Sequence, residues 1–311
     1  MMVETSQNYG RYILHGIIRY LRSHQPWSVF LELRELGAAP PPRLKDWRGD
    51  GIITRVTDPA LAESLRKKRI PVVNLNDVYS GLGLPTIESD HRAIARLAAE
   101  HLLERGFRHF AACGFTGHAW SQQRVQTFRD VLGAAATSCH LYESRWGGRI
   151  AHPWEQEQER IGEWLLVLPR PVGIFACNDS RGQHVLDACQ RVNLSVPEEV
   201  AVLGVDDDVL LCELCDPPLS SVMPSPERVG YEAAALLDRL MVGDSPQAEI
   251  RAVQLKRVKQ LLAETDLSLD QIAELAGYAH PEYLSVVFKR EIGETPGQYR
   301  RRTRIGEAKT P

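Results

Sequence analysis

Short apolar runs recur through the first 240 residues of this chain, and a helical pattern follows most of them. "WSVFLEL", "GDGIITRV", "IPVVNLN", "FRHFAACGF", "PVGIFACND" and "EVAVLGVDDD" are bounded by turn residues and too brief for helices. Between them lie amphipathic stretches such as "AIARLAAEHLLERG" and "SRGQHVLDACQRVN". Buried strand followed by amphipathic helix, repeated, predicts parallel sheets with helices on both faces. Ligands of such sheets bind beyond the carboxyl ends of the strands. The polar residues found there are Asp90 after "GLGLPTIES", Arg124 in "AWSQQRVQTF", Asn178 with Asp179 closing "GIFACND", and Asp206 opening the acidic turn of "VLGVDDD". Carboxylates, an amide and a guanidinium on one cleft suit a polyhydroxylated ligand, because vicinal hydroxyls donate and accept at once. On spacing alone the same residues read as helix caps, since Asp and Asn at strand ends commonly cap the next helix.

A chain of 311 residues suits two or three domains, and its 43% hydrophobic and 25% charged content is that of a soluble globular protein. No run approaches the roughly 18 apolar residues of a membrane helix. "MMVETSQNYGRYILHGIIRY" lacks the basic start, apolar core and cleavage site of a secretory signal, so a cytoplasmic location is expected. Of the six cysteines only Cys212 and Cys215 form a C-x-x-C, inside an apolar segment, with no second pair for zinc. They read as buried, reduced thiols. There is no phosphate loop, no G-x-G-x-x-G after a strand and no metal cluster, so neither a cofactor nor an enzyme is expected. "GFTGHAW" is too short to count as a phosphate loop, and His118 within it reads as a solvated loop histidine.

The net charge of −3 is unevenly spread: residues 245–311 hold 11 Lys+Arg against 9 Asp+Glu, the remainder 26 against 31. Within the more basic part, "SPQAEIRAVQLKRVKQLLAETD" has a helical apolar stripe. Ser268 caps a second helix, "LDQIAELA", and Gly277 supplies a left-handed turn. A further helix begins at His280-Pro281-Glu282, with Tyr283, Leu284, Val287 and Phe288 expected on its apolar side. Two helices about a short glycine turn make a helix-turn-helix. His280, Glu282 and Ser285 are then candidates for base readout, and Lys289, Arg290 and the cluster Arg300, Arg301, Arg302 for phosphates. A plain helical hairpin with a solvated charged face would show the same pattern.

"GIFACNDSRGQHVLDACQRVNLSVPEEVAVLGVDDDVLLCELCDPPLSSV", followed by "RVGYEAAALLDRL", resembles the effector domain of the lactose/galactose-repressor family. The resemblance implies the type I fold of periplasmic sugar-binding proteins, two α/β lobes with parallel sheets around a cleft. It also implies that Asp90, Arg124, Asn178 and Asp206 contact a sugar, with Tyr9 and Arg11 as weaker candidates. "LAETDLSLDQIAELAGYAHPEYLSVVFKREIGETPGQYRRR" resembles the second half of an AraC-type DNA-binding domain. The combination resembles bacterial xylose operon regulators, which implies a homodimeric, xylose-responsive activator whose partners are operator DNA and D-xylose. The expected organisation is a two-lobed sensor over residues 1–242, a junction at 243–246, a partial, small all-α helix-turn-helix domain over 247–304 and a tail at 305–311.

Two departures stand against these families. Only Met1, Met2 and Val3 remain to build the family's first strand, which suggests an upstream start codon. AraC-type domains carry two helix-turn-helix units joined by a long helix, whereas here the sensor's last helix stops at Asp244, directly before Ser245. The chain therefore reads as a regulator with an internal deletion at about residues 243–246. Three alternatives remain: a degraded regulator that binds sugar but no longer its operator, a solute-binding protein, and a sugar-metabolising enzyme. The second would need an export signal and no DNA-reading tail.

Overall fold

The computed structural model describes residues 1–3, 5, 8–24, 26–32, 44, 47–55, 59–68, 70–75, 78–79, 81–145, 154–242, 246–278 and 281–307. The chain divides into two compact units, Met1–Leu237 and Asp238–Pro311. His280, most of the expected junction and the end of the expected tail lie outside the described residues.

The first unit holds two parallel sheets. The larger contains β3 (His109–Thr116), β4 (Ser138–Arg145), β5 (Val172–Ala176), β6 (Val200–Val205) and β7 (Ser220–Val222), in the spatial order β4-β3-β5-β6-β7. Side chains alternate across it. Phe110 and Ala112 join Phe128, Phe175 and Leu203 on one face, under α3 (His91–Glu104) and α4 (Ala119–Leu132). Ala111 and Cys113 join Ile161, Leu165, Ile174 and Val185 on the other, under α5 (Trp154–Leu166) and α6 (Asp179–Arg191). This period of two is why the central strands read as continuous apolar runs: both faces are buried. β4 and β7 escape that reading. β4 forms an edge whose residues are only alternately half-buried, and β7 spans three residues.

The smaller sheet pairs β1 (Ile52–Thr54) with β2 (Val72–Asn74), and Met2 and Thr86 add bridges to Thr54 and Asn74. Met2 donates its N–H to Ile53 (2.9 Å) and accepts from Arg55 (3.0 Å), so the slot beside β1 is paired at that residue. "WSVFLEL", expected as a strand, is not one over its described residues. It runs beside Met1, whose carbonyl accepts from Glu32, without forming a ladder. Helix α1 (Asn8–Ser23) crosses α8 (Pro226–Val242) at backbone contact. A Cβ on Gly16 would lie 1.9 Å from the carbonyl oxygen of Glu227, and one on Gly230 equally close to that of Ile13. Helix α2 (Pro59–Arg66) buries Leu61, Ala62 and Leu65. The six thiols are free, and burial pushes Cys113, Cys189 and Cys212 up to about 12 and Cys177 to about 11, so they are protonated and inert.

The second unit contains α9 (Pro246–Glu264), α10 (Leu269–Leu275), α11 (Pro281–Ile292) and α12 (Pro296–Glu307). Leu255, Val258, Leu262, Ile272, Leu284 and Phe288 belong to its single core. Ser268 opens α10 with a full capping box: its hydroxyl accepts from Gln271 N (3.3 Å) while its own N–H donates to Gln271 Oε1 (2.9 Å). Gly277 takes φ 77°, the left-handed turn the sequence requires of it. Thr295 and Gln298 repeat the capping exchange before α12. The arginine cluster lies on a fourth helix, which packs Tyr299 edge-on against Phe288 at 5.5 Å. Tyr283 corrects an expectation. It was assigned to the buried side of α11 and is exposed, because at this register Leu284, Val287 and Phe288 already fill the core-facing stripe.

Candidate functional site

Arg124 is 3% exposed on α4, and burial of a guanidinium demands partners on every side. Its Nη1 donates to the Cys177 carbonyl (2.6 Å), directly after β5, and its Nε to His91 Nδ1 (3.2 Å) on α3. That second bond fixes His91 as the tautomer with Nδ1 unprotonated. Nη2 lies 3.6 Å from Asp206 Oδ1, and the guanidinium sits 5.1 Å from the centre of the Trp120 ring.

Asp206 faces Arg124 from a turn that an L-residue adopts reluctantly. Asp206 has φ 111° and Asp207 φ 50°, two consecutive left-handed positions without glycine, a conformation that costs about 1–3 kcal/mol per residue and is found where a site over-determines the backbone. The restraint is visible. Asp206 N donates to Val222 O (3.1 Å), Asp207 N to Ser221 Oγ (3.0 Å), and Asp208 N to Asp179 Oδ2 (2.8 Å). Ser221 Oγ in turn donates to Asp179 Oδ1 (2.6 Å). Burial raises the Asp179 carboxyl to about 6 in spite of these hydrogen bonds.

The remaining sugar-site candidates divide. Asn178 is buried and caps α6, its Oδ1 accepting from Arg181 N (2.9 Å). Asp90 is exposed and caps α3 through Ala93 N (2.9 Å). Both therefore perform the capping role, and capping engages one oxygen of each. They still flank the Arg124 cluster, because their neighbours Cys177 and His91 supply its acceptors. Tyr9, buried at the start of α1, sets its hydroxyl 2.8 Å from Ser89 Oγ, and adjacent Asn8 donates to Asp208 Oδ1 (2.7 Å). Arg11 is exposed, donates to Thr5 O and does not join the group. His91, Trp120, Ser221 and Asn8 escape a reading by strand ends, whereas Asp179 was read there together with Asn178. Asn8, a polar residue beside the candidate Tyr9, carried the only local signal among the four. His118 is held by Thr116 O and packs near Phe115 and Trp120.

Next to this cluster lies a buried ion pair. Arg181 is 1% exposed, its Nη1 2.7 Å from Glu157 Oε1 and its Nη2 2.7 Å from Ser144 Oγ, with the guanidinium 3.9 Å from the centre of the Phe115 ring. Burial would raise the Glu157 carboxyl, but hydrogen bonds from Ser144 and Arg181 outweigh it and hold Glu157 below its ordinary value.

In the second unit, α11 presents Glu282, Lys289 and Arg290 to solvent, with Ser285 half-buried. Arg290 pairs with Glu291 at 2.8 Å. The arginines of α12 diverge: Arg300 turns inward and donates to Leu267 O (2.5 Å), Arg302 pairs with Glu294 (2.7 Å), and Arg301 is exposed. Among the described residues no helix is long and apolar enough to cross a membrane.

Residues 99–259 match the family described as periplasmic binding protein-like domain, residues 230–302 a helix-turn-helix domain, and residues 1–84 the XylR N-terminal domain. The xylose operon regulatory protein of Escherichia coli (strain K12) is 26% identical, the match covering 96% of each chain. That of Haemophilus influenzae is also 26% identical, covering 96% of this chain and 97% of its own. These curated relatives are transcription regulators, not enzymes. The alignment with the Escherichia coli protein runs over 381 positions, and a chain of 311 residues leaves at least 70 of them without a counterpart. Among solved structures, a xylose-binding transcription activator matches with a TM-score of 0.65 at 24% identity, covering 96% of both chains. A cellobiose complex of the regulator CelR matches at 0.61 and 24%, covering 78% of this chain and 77% of its own. At those identities the structural likeness concerns the fold: an α/β periplasmic-binding-protein-like sensor followed by a helical helix-turn-helix unit.

Proposed function

The chain belongs to the family of periplasmic binding protein-like domains, and on that footing we propose that it is a cytoplasmic, sugar-responsive transcription regulator whose ligand is D-xylose. One observation carries this reading: a single chain joins buried Arg124, paired with half-buried Asp206 at a strand end of a sensor, to a capped helix-turn-helix. The couple sets a planar donor beside a carboxylate acceptor, the pairing that adjacent sugar hydroxyls satisfy. Asn178 and Asp90, through the atoms their caps leave over, and the Tyr9 hydroxyl extend the set. Arg11 stays at its margin. The contact Asn8–Asp208 joins α1 to the turn after β6 of the larger sheet, and Tyr9–Ser89 joins it to the segment before α3. A sugar acts as a signal when it binds the arrangements with and without such contacts at different affinity.

On the DNA side, His280, Glu282 and Ser285 serve base edges, and Lys289, Arg290 and Arg301 serve phosphates. Arg300, given to Leu267, contributes mainly to the fold. A homodimer links two readers on one duplex and offsets the weakness of each. Exposed Val209, Leu210 and Leu214 on α7 (Val209–Leu214) offer such a dimer an apolar ridge. A second reading, a sensor that has lost its operator, is favoured by the at least 70 unmatched positions of the relative. They accord with a missing first helix-turn-helix unit near residues 243–246, in a chain whose sensor and reader family matches overlap over residues 230–259.

Fluorescence anisotropy of the region upstream of the protein's own operon, with and without D-xylose across a salt series, separates the two. Saturable, salt-sensitive binding that xylose strengthens supports the regulator. Weak, xylose-independent binding, with sugar still detected by calorimetry, supports the lone sensor. Absence of sugar binding by calorimetry refutes both.

A further inference from the structure

Helix α11 carries exposed Glu282, Tyr283, Val286, Lys289 and Arg290 in one stripe, at the spacing of a single helix face. Its other side is spent on the core through Leu284, Val287 and Phe288. Tyr283 is 56% and Val286 64% exposed, one turn apart, between an acid at the start of the helix and two cations at its end. A helix face that meets only water carries polar residues at such central positions.

We infer that α11 reads thymine: Val286 and the Tyr283 ring take the C5-methyl groups that this base alone presents in the major groove. The inference rests on the DNA-binding reading proposed above and names its specificity. The occupant follows from three features. Lys289 and Arg290 on the same stripe, and exposed Arg301 on α12, suit a polyanion. Two apolar side chains are far fewer than a protein interface needs. The major groove admits one helix and offers methyl groups and hydrogen-bonding edges side by side, so Glu282 can accept from a cytosine amino group beside the thymines.

The test selects duplexes from a random library with the full-length chain in the presence of D-xylose. It then measures the affinity of the enriched duplex with each thymine replaced in turn by uracil, which lacks the methyl. Replacement at a contacted position should weaken binding about fourfold, the effect of one apolar carbon returned to water. Val286→Ser or Tyr283→Ser, both exposed and so compatible with the fold, should bring that thymine-to-uracil ratio to about one and leave the salt dependence unchanged. Lys289→Gln should do the reverse. A tightly bound enriched duplex with no uracil effect at any position, or an effect that survives both serine variants, overturns the inference and leaves the regulator standing. If no sequence is enriched at all, the regulator reading itself fails, and this one with it.

Discussion

Replacing Arg181 by methionine keeps much of its bulk and removes its charge, leaving the Glu157 carboxylate buried against Ser144 with no cation. Removing one partner of a buried pair costs about 3–5 kcal/mol, because the remaining charge is stranded away from water. Against a domain stability of about 5–15 kcal/mol, that is a large fraction of the whole. With a urea dependence of about 3 kcal/mol per molar for a unit of this size, the midpoint should fall by about 1–1.7 M. Tryptophan fluorescence reads this transition cleanly: all six tryptophans precede residue 165, so the signal reports the first unit and is silent about the helical one. Adding Glu157→Gln to Arg181→Met removes the stranded charge and should recover most of the loss. The pH dependence has a definite sign. Glu157 is held below its ordinary 4.5 by Ser144 and Arg181, so in the parent its stabilisation is present above that value and disappears as pH falls through the folded pKa. Without Arg181 the carboxyl titrates higher and can accept a proton in the folded state, so the deficit of the variant should shrink between pH 7 and pH 4. A midpoint shift below about 0.3 M, the resolution at which one weak hydrogen bond would show, or no rescue by the second substitution, would refute the account of a buried, mutually dependent pair.

Asp179, raised to about 6 from an ordinary 3.8, makes the folded state bind its proton more tightly, so its contribution to stability should grow as pH falls from 6 toward 4. Urea midpoints of the parent relative to Asp179→Asn should diverge in the parent's favour across that window. Arg124→Lys cannot reach Cys177 O, His91 Nδ1 and Asp206 together, so calorimetry should show D-xylose binding lost or weakened at least about tenfold. Ser268→Ala breaks the capping box of α10 and should cost the helical unit about 1 kcal/mol, seen as faster amide hydrogen exchange in α10 with α3 and α6 unchanged.

Much of the fold was legible because burial on both faces writes itself into β3, β5 and β6 as unbroken apolar runs. The turn at Gly277 was legible because a left-handed residue closing the capped α10 leaves few alternatives. β4 was not, since an edge strand alternates half-exposed polar residues that resemble a loop. α12 was hidden by composition: a helix of mostly polar residues is fastened to the core by Tyr299 and by the inward bond of Arg300, neither of which is periodic. Within the candidate site, Arg124 and Asp206 stood out as charges at strand ends. His91 and Ser221 did not, because each acts through a partner distant in sequence, and only folding reveals that His91 receives a bond from Arg124 or that Ser221 ties Asp179 to the acidic turn.

The crossing of α1 and α8 has a consequence for how this chain can evolve. Every amino-acid replacement that a single base change makes in a glycine codon adds a Cβ, and at Gly16 or Gly230 that atom would meet a backbone carbonyl, which has no rotamer to yield. Neutral drift through either position is therefore closed in one step. Reopening it requires the two helices to separate first, through changes elsewhere that confer no advantage of their own. Random mutagenesis should return these codons among inactive clones, whereas the codons for Tyr283 and Val286, whose side chains are exposed, can change without unfolding the helical unit.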